Sequence, residues 1–414
     1  MVMGTFSCGH ITIEFSNDGK AERILTNGTD IRTIVFQLTS VPSIGRAPVL
    51  PDELHQLANQ VFDAIDDLVR KGLNTFVALT AADRFFESFT LLPRYLSSFG
   101  FQLAASQTWA QLIQWTLVWE KSHSTQIHKG TPFFFLGMNL IFQGDIDTGF
   151  LFIYNAMEGD KASYRAMGQA DRYKQAPAYM TATIVDNPAN VLHETVVRPI
   201  RGAISNYVTS FSQATNLPYT LGDFQACFLG NPDLEIEKLV FFFVYNMYVH
   251  IQRNRFKQLP QFFDNDFSKI KNLDSIFNMC LIIEELLQHR FGKTGTNYFI
   301  SDGVLDLVAA KTWITAGKTR EETEKQFFSK LAGVDLRLDP STTVPVILSG
   351  NITYGGLPIT PELRYLLLAW HLRNYGGHNI RVQDVLVKSY DQIFEWLIYA
   401  LFIASQPRTE GESS

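Results

Sequence analysis

The chain is short of three things: cysteine, charge and long apolar runs. Among 414 residues there are three cysteines, Cys8, Cys227 and Cys280, widely separated and without a CxxC pair. That excludes a disulfide framework and gives no spacing for a zinc site. Charged residues make up only 18% of the chain, which argues against extensive disorder and fits some apolar surface being buried between subunits. The net charge of −6 excludes a protein that coats nucleic acid through a general basic excess, so any contact with nucleic acid has to be local, in a cleft. The most apolar run, Leu239 to Tyr245, falls far short of the ~20 residues that a membrane helix needs. No basic segment followed by an apolar core opens the chain, so no signal peptide is expected. Neither a G-x-G-x-x-G turn nor a P-loop is present. These absences together predict a reduced, cytoplasmic protein with no membrane segment and no metal or cofactor site.

What the chain does have is core material: 46% apolar residues and 33 phenylalanines. Its length predicts two or three domains. The pattern is mainly α, divided into an N-terminal region over 1–125, an α-helical region over 126–265 and a helical bundle over 268–405. A small β element is expected at the start, where residues 10–15 alternate apolar and polar before the turn Ser16-Asn17-Asp18-Gly19. Residues 33–38 read as a second strand. Beyond Pro51, Leu54, Leu57, Val61, Ile65 and Leu68 recur at helical spacing and Gly72 closes the helix. Cys8-Gly9-His10 has two metal-ligand types but no distant partners, and reads as structural.

The middle region holds one clear hairpin over 132–160. A helix to Phe142, a turn at Gly144-Asp145 and a second helix from Ile146 place Leu136, Gly137, Leu140, Gly149 and Ala156 where a tetratricopeptide repeat wants its large and small residues. The unit resembles one degenerate tetratricopeptide repeat with no second copy, and a simple helical hairpin explains it equally well. Arg253, Arg255 and Lys257 form a short basic run for which a solvated helix end is the default.

Five helical segments build the last region. One begins at Asp274, one at Ser301, one behind the capping box Thr319 to Glu322, one at Pro361 and one at Ser389. A short β segment at Val344 to Leu348 is the only interruption expected. On the Pro361 helix, Leu363, Leu366, Leu367 and Trp370 form an apolar stripe, and continuing it by three and four reaches Arg373 and Asn374. A guanidinium there needs a carboxylate partner or a polar cleft. Gly376-Gly377 then permits a bend that brings His378 back toward Arg373.

Arg373-Asn374 with His378 five positions after the arginine, inside a helical bundle, resembles the HEPN (higher eukaryotes and prokaryotes nucleotide-binding) family, whose signature is R-x4-6-H, often with a polar residue after the arginine. The resemblance covers the last third of the chain. It implies a metal-independent endoribonuclease that works as a homodimer on an RNA substrate, in a regulated antiviral-defence or toxin setting, with room for a protein or nucleotide activator. By that resemblance His378 is the general acid/base, Arg373 stabilises the phosphate in the transition state and Asn374 orients the histidine or the phosphate. Attack by the ribose 2′-OH then leaves a 2′,3′-cyclic phosphate. The alternative is a non-catalytic HEPN and helical-repeat interaction protein. Pairing of Arg373 with Glu284 or Glu285 inside one chain favours that structural role, and His371 reads as a buried or surface histidine and not as a third catalytic group.

Overall fold

The computed structural model describes residues 4–39, 49–72, 75–255, 266–310, 319–378 and 384–407. The chain forms two compact units, Met1–His193 and Glu194–Ser414. The division lies inside the region read as 126–265. The boundary expected near 125 falls within the first unit, where consecutive helices on either side of it pack directly on each other.

The N-terminal unit opens with four antiparallel strands in sequence order, β1 (Gly4–Cys8), β2 (Ile11–Phe15), β3 (Ala21–Thr26) and β4 (Thr29–Asp30). Ile11, Ile13 and Phe15 are buried, so the alternation in β2 turns one face to the core as its sequence predicts. Helix α1 (Ile31–Leu38) follows. It replaces the strand expected at 33–38. The Asp30 side chain accepts from the Arg32 N–H and caps the helix, and Ile31 and Val35, four apart, are its buried residues. A local cap and helical spacing outweigh the β-branched composition of that run.

Helices α2 (Asp52–Arg70), α3 (Thr75–Phe89), α4 (Leu91–Ser98) and α5 (Gln102–Ser122) come next. Their core is aromatic: Phe62 meets Phe85 edge-on at 4.9 Å between ring centres, and Trp119 and Phe89 extend the cluster. The run Phe76 to Leu79 lies in α3.

The hairpin α6 (Gly130–Gln143) and α7 (Ile146–Ala166) forms where the sequence places it. Gly144 ends α6 with φ +88°, and Asp145 caps α7 by accepting from the Thr148 N–H at 3.2 Å. A Cβ on Gly137 would sit 2.7 Å from the Gly149 carbonyl oxygen, so the small residues are what let the helices approach. A 3₁₀ turn (Arg172–Gln175) and α8 (Pro177–Ala182) complete the unit.

The C-terminal unit starts with α9 (Arg198–Thr215), α10 (Leu221–Phe224) and α11 (Leu234–Asn254). Then come α12 (Asp266–Phe291), α13 (Ile300–Ala310) and α14 (Arg320–Lys330), the last behind the expected Thr319–Glu322 capping box. A small antiparallel sheet of β5 (Leu331–Ala332), β6 (Thr353–Tyr354) and β7 (Leu357–Pro358) brackets α15 (Pro340–Ser349). Residues 344–348 are thus helical, not β: Asp339 caps the helix, and Val344 and Ile347 are buried at helical spacing. Helices α16 (Pro361–His378), α17 (Asp384–Lys388) and α18 (Tyr390–Ala404) close the unit.

Helix α16 is the axis of this bundle. It packs against α9, α12, α13, α15 and α18. Leu363, Leu366, Leu367 and Trp370 are all buried, as their stripe predicts. Helix α18 is buried nearly throughout. Among the described residues, no helix is long and apolar enough to cross a membrane.

Candidate functional site

At the far end of α16, Arg373 reaches across to α12 and meets Glu284. Its Nη2 and Nε donate to the same oxygen, Glu284 Oε1, at 3.0 and 3.3 Å. The Arg373 side chain is 23% exposed and that of Glu284 only 7%. The guanidinium carbon also lies 5.2 Å from the centre of the Phe277 ring. The second oxygen of Glu284 accepts from the Ile300 N–H at 3.4 Å, which ties the start of α13 to the same carboxylate. The arginine on the apolar stripe therefore does have the carboxylate partner that its position demands. Nearby Cys280 is fully buried, and burial pushes its thiol well above the ordinary range, with Arg373 only partly opposing. For Glu285, burial and then the neighbouring Glu284 charge raise the carboxyl.

Asn374 is exposed and sits beside the arginine. His378 ends α16, and its side chain lies outside the described residues. Helix α16 continues through Gly376 and Gly377 to His378. Two positions five apart on a continuous helix lie about 140° apart around its axis. His371 is buried, with Nδ1 3.2 Å from the Leu336 carbonyl oxygen, and burial lowers its pKa. Of the two placements open from the sequence, buried or surface, the structure shows the buried one. Arg253 of the short basic run stacks 3.8 Å from the centre of the Tyr390 ring and lies 3.6 Å from Asp391, so it too is engaged within the bundle. Lys257 lies outside the described residues.

A second constellation, which local sequence patterns did not reveal, occupies the N-terminal unit. His128, just before α6, stands between Asp83 of α3 and Asp160 of α7. Its Nδ1 is 3.0 Å from Asp83 Oδ1 and its Nε2 is 2.6 Å from Asp160 Oδ1. Carboxylates only accept, so both ring nitrogens donate and the ring is an imidazolium. Burial alone would lower the pKa of His128, but the Asp83 charge and the hydrogen bonds of both carboxylates overcome it and push it up to about 10. For Asp160 burial acts the other way, raising the carboxyl more than the imidazolium lowers it. The His128 shift decides between these opposed tendencies: with its pKa pushed up to about 10 and a carboxylate oxygen at each ring nitrogen, the histidine holds the proton at neutral pH. A ring with no free lone pair cannot serve as a general base.

Glycine is required beside this triad. A Cβ on Gly130 would overlap Asp160 Oδ1 and come within 2.8 Å of the His128 ring. Outside the triad opens a cavity of about 410 Å³, lined among others by Arg94, Phe135, Tyr164 and Arg172. Arg94 lies over the Phe135 ring at 5.3 Å; Arg172 lies over Phe76 at 4.9 Å and Tyr164 at 5.7 Å. The triad spans sequence separations of 45 and 32 residues, so no short spacing could announce it. The one local signal was a histidine flanked closely by a glycine ahead of an apolar helix. Among the described residues no cluster of three or more His, Cys, Asp or Glu side chains is arranged to hold a metal ion. No family model, curated protein or solved structure matches this chain.

Proposed function

We propose that this chain is a non-catalytic helical binding protein whose C-terminal bundle is HEPN-like. One observation carries the reading: the guanidinium of Arg373 is anchored on the buried carboxylate of Glu284 in its own chain. A cation held this way fixes α16 to α12 and supports a structural role. The continuous helix supports the same view, since it separates positions 373 and 378 around the axis instead of converging them.

The endoribonuclease remains the second reading. It is favoured by the partial exposure of Arg373 and the exposure of Asn374 next to it. In that reading two copies of Arg373, Asn374 and His378 line a cleft between subunits, and the chain cuts RNA without metal to leave a 2′,3′-cyclic phosphate. Wild type, Arg373→Ala and His378→Ala incubated with labelled single-stranded RNA in EDTA separate the two. The binding-protein reading expects no cleavage, or equal trace cleavage in all three. Cleavage by wild type alone, with cyclic-phosphate ends, overturns it.

A further inference from the structure

We infer that the cavity beside the Asp83–His128–Asp160 triad is a binding site for a small phosphorylated polyol of the sugar-phosphate class. The inference concerns the N-terminal unit and stands whichever way the RNA assay falls. Three observations combine. First, two guanidinium groups line the cavity, and among the described residues neither Arg94 nor Arg172 has a carboxylate within ion-pair distance. Their contacts are aromatic faces, plus the Gln169 side chain, which accepts from Arg172 Nη1 at 2.9 Å. Stacking of this kind pre-sets a guanidinium while leaving its N–H edge to bind an oxyanion. A phosphate offers three acceptor oxygens, enough for two such forks.

Second, the charges do not cancel. His128, Arg94 and Arg172 face two carboxylates, so the cavity carries an excess positive charge for an anionic head group. Third, the triad uses one oxygen of each carboxylate. Asp83 and Asp160 both pair through Oδ1, and among the described residues their Oδ2 atoms accept no hydrogen bond from the protein. A ligand with hydroxyl donors beyond its phosphate satisfies those oxygens, which a bare anion cannot do. The imidazolium holds the two carboxylates in place, so the acceptors are preorganised. The size suits a small metabolite.

The test is calorimetric titration of the full chain at pH 7 with ribose 5-phosphate, inorganic phosphate and ribose as probes. Ribose 5-phosphate is expected to bind at least about tenfold more tightly than inorganic phosphate, and ribose not measurably. Arg94→Ala, on an exposed position of α4, is expected to weaken ribose 5-phosphate by about tenfold or more while thermal stability stays at the wild-type value. Arg172→Lys, which keeps the charge but loses the fork, is expected to weaken it in the same direction. No binding of ribose 5-phosphate, equal affinity for inorganic phosphate, or unchanged affinity in Arg94→Ala each overturns the proposal.

Discussion

His128 is the residue whose chemistry departs furthest from its type. An unfolded histidine loses its proton near pH ~6.5. The folded ring keeps its proton up to about pH 10. A raised folded pKa contributes stability that is complete below the unfolded value and disappears as pH rises through the folded one. Tyr164 and Arg172 face the same cavity, and the nearby Asp83 and Asp160 charges also help burial raise the Tyr164 hydroxyl. Urea midpoints of the wild type are therefore expected to fall between about pH 6.5 and 10, with a shallower fall in His128→Gln. Parallel pH profiles for the two proteins would refute the assignment. Arg373 makes a second case at this scale. Removing one member of a buried pair costs ~3–5 kcal/mol, and the partial exposure of Arg373 brings its cost to the bottom of that range or just below it. Arg373→Met is expected to lower stability by about 2–3 kcal/mol, and the double variant Arg373→Met/Glu284→Met to recover most of it. Additive losses in the denaturation cycle would show that the two residues do not act as a pair. From sequence, the need for a carboxylate at Arg373 could be argued, because its stripe is apolar. The His128 triad could not, because its members meet only when α3, α6 and α7 assemble.

At the scale of elements, the α6–α7 crossing shows how much a missing side chain can decide. Alanine ordinarily helps a helix by about 1 kcal/mol over glycine. At Gly137 the added carbon would meet a backbone oxygen of α7 at 2.7 Å, and backbone cannot rotate away. Gly137→Ala is expected to destabilise by roughly 1–3 kcal/mol, read from the shift in a urea midpoint. A gain in stability would mean that the two helices are not pressed together at that point. Long amphipathic helices were the most legible part of the fold. The α2 and α16 stripes and the α14 capping box are where residue spacing places them. The errors fall on short runs. Residues 33–38 and 344–348 are rich in β-branched residues, yet each follows an aspartate that caps a helix, Asp30 or Asp339. In segments of ten residues or fewer the cap outweighs propensity. The strands β1 and β3 carry weak alternation and are defined by pairing with β2, which no single segment contains.

For the whole molecule, the division into Met1–His193 and Glu194–Ser414 separates two questions. The RNA assay addresses the second unit through Arg373 and His378, and the sugar-phosphate titration addresses the first through Arg94 and Arg172. Each set of variants thus serves as a control for the other: Arg94→Ala is expected to leave any RNA cleavage unchanged, and Arg373→Ala to leave ribose 5-phosphate binding unchanged. The division itself was hard to read, because it falls inside the π-helical turn His193–Val197 that runs directly into α9 and not in a Gly- or Ser-rich linker. The imidazolium of His128 has one more consequence. Near pH 8 the folded ring is charged and the unfolded one is neutral, so global unfolding must release a proton to the solution. The heat measured on melting then includes the buffer's own enthalpy of taking up that proton. Scans in Tris and in phosphate at the same pH would differ by about that amount, and a His128→Gln chain would bring the two together.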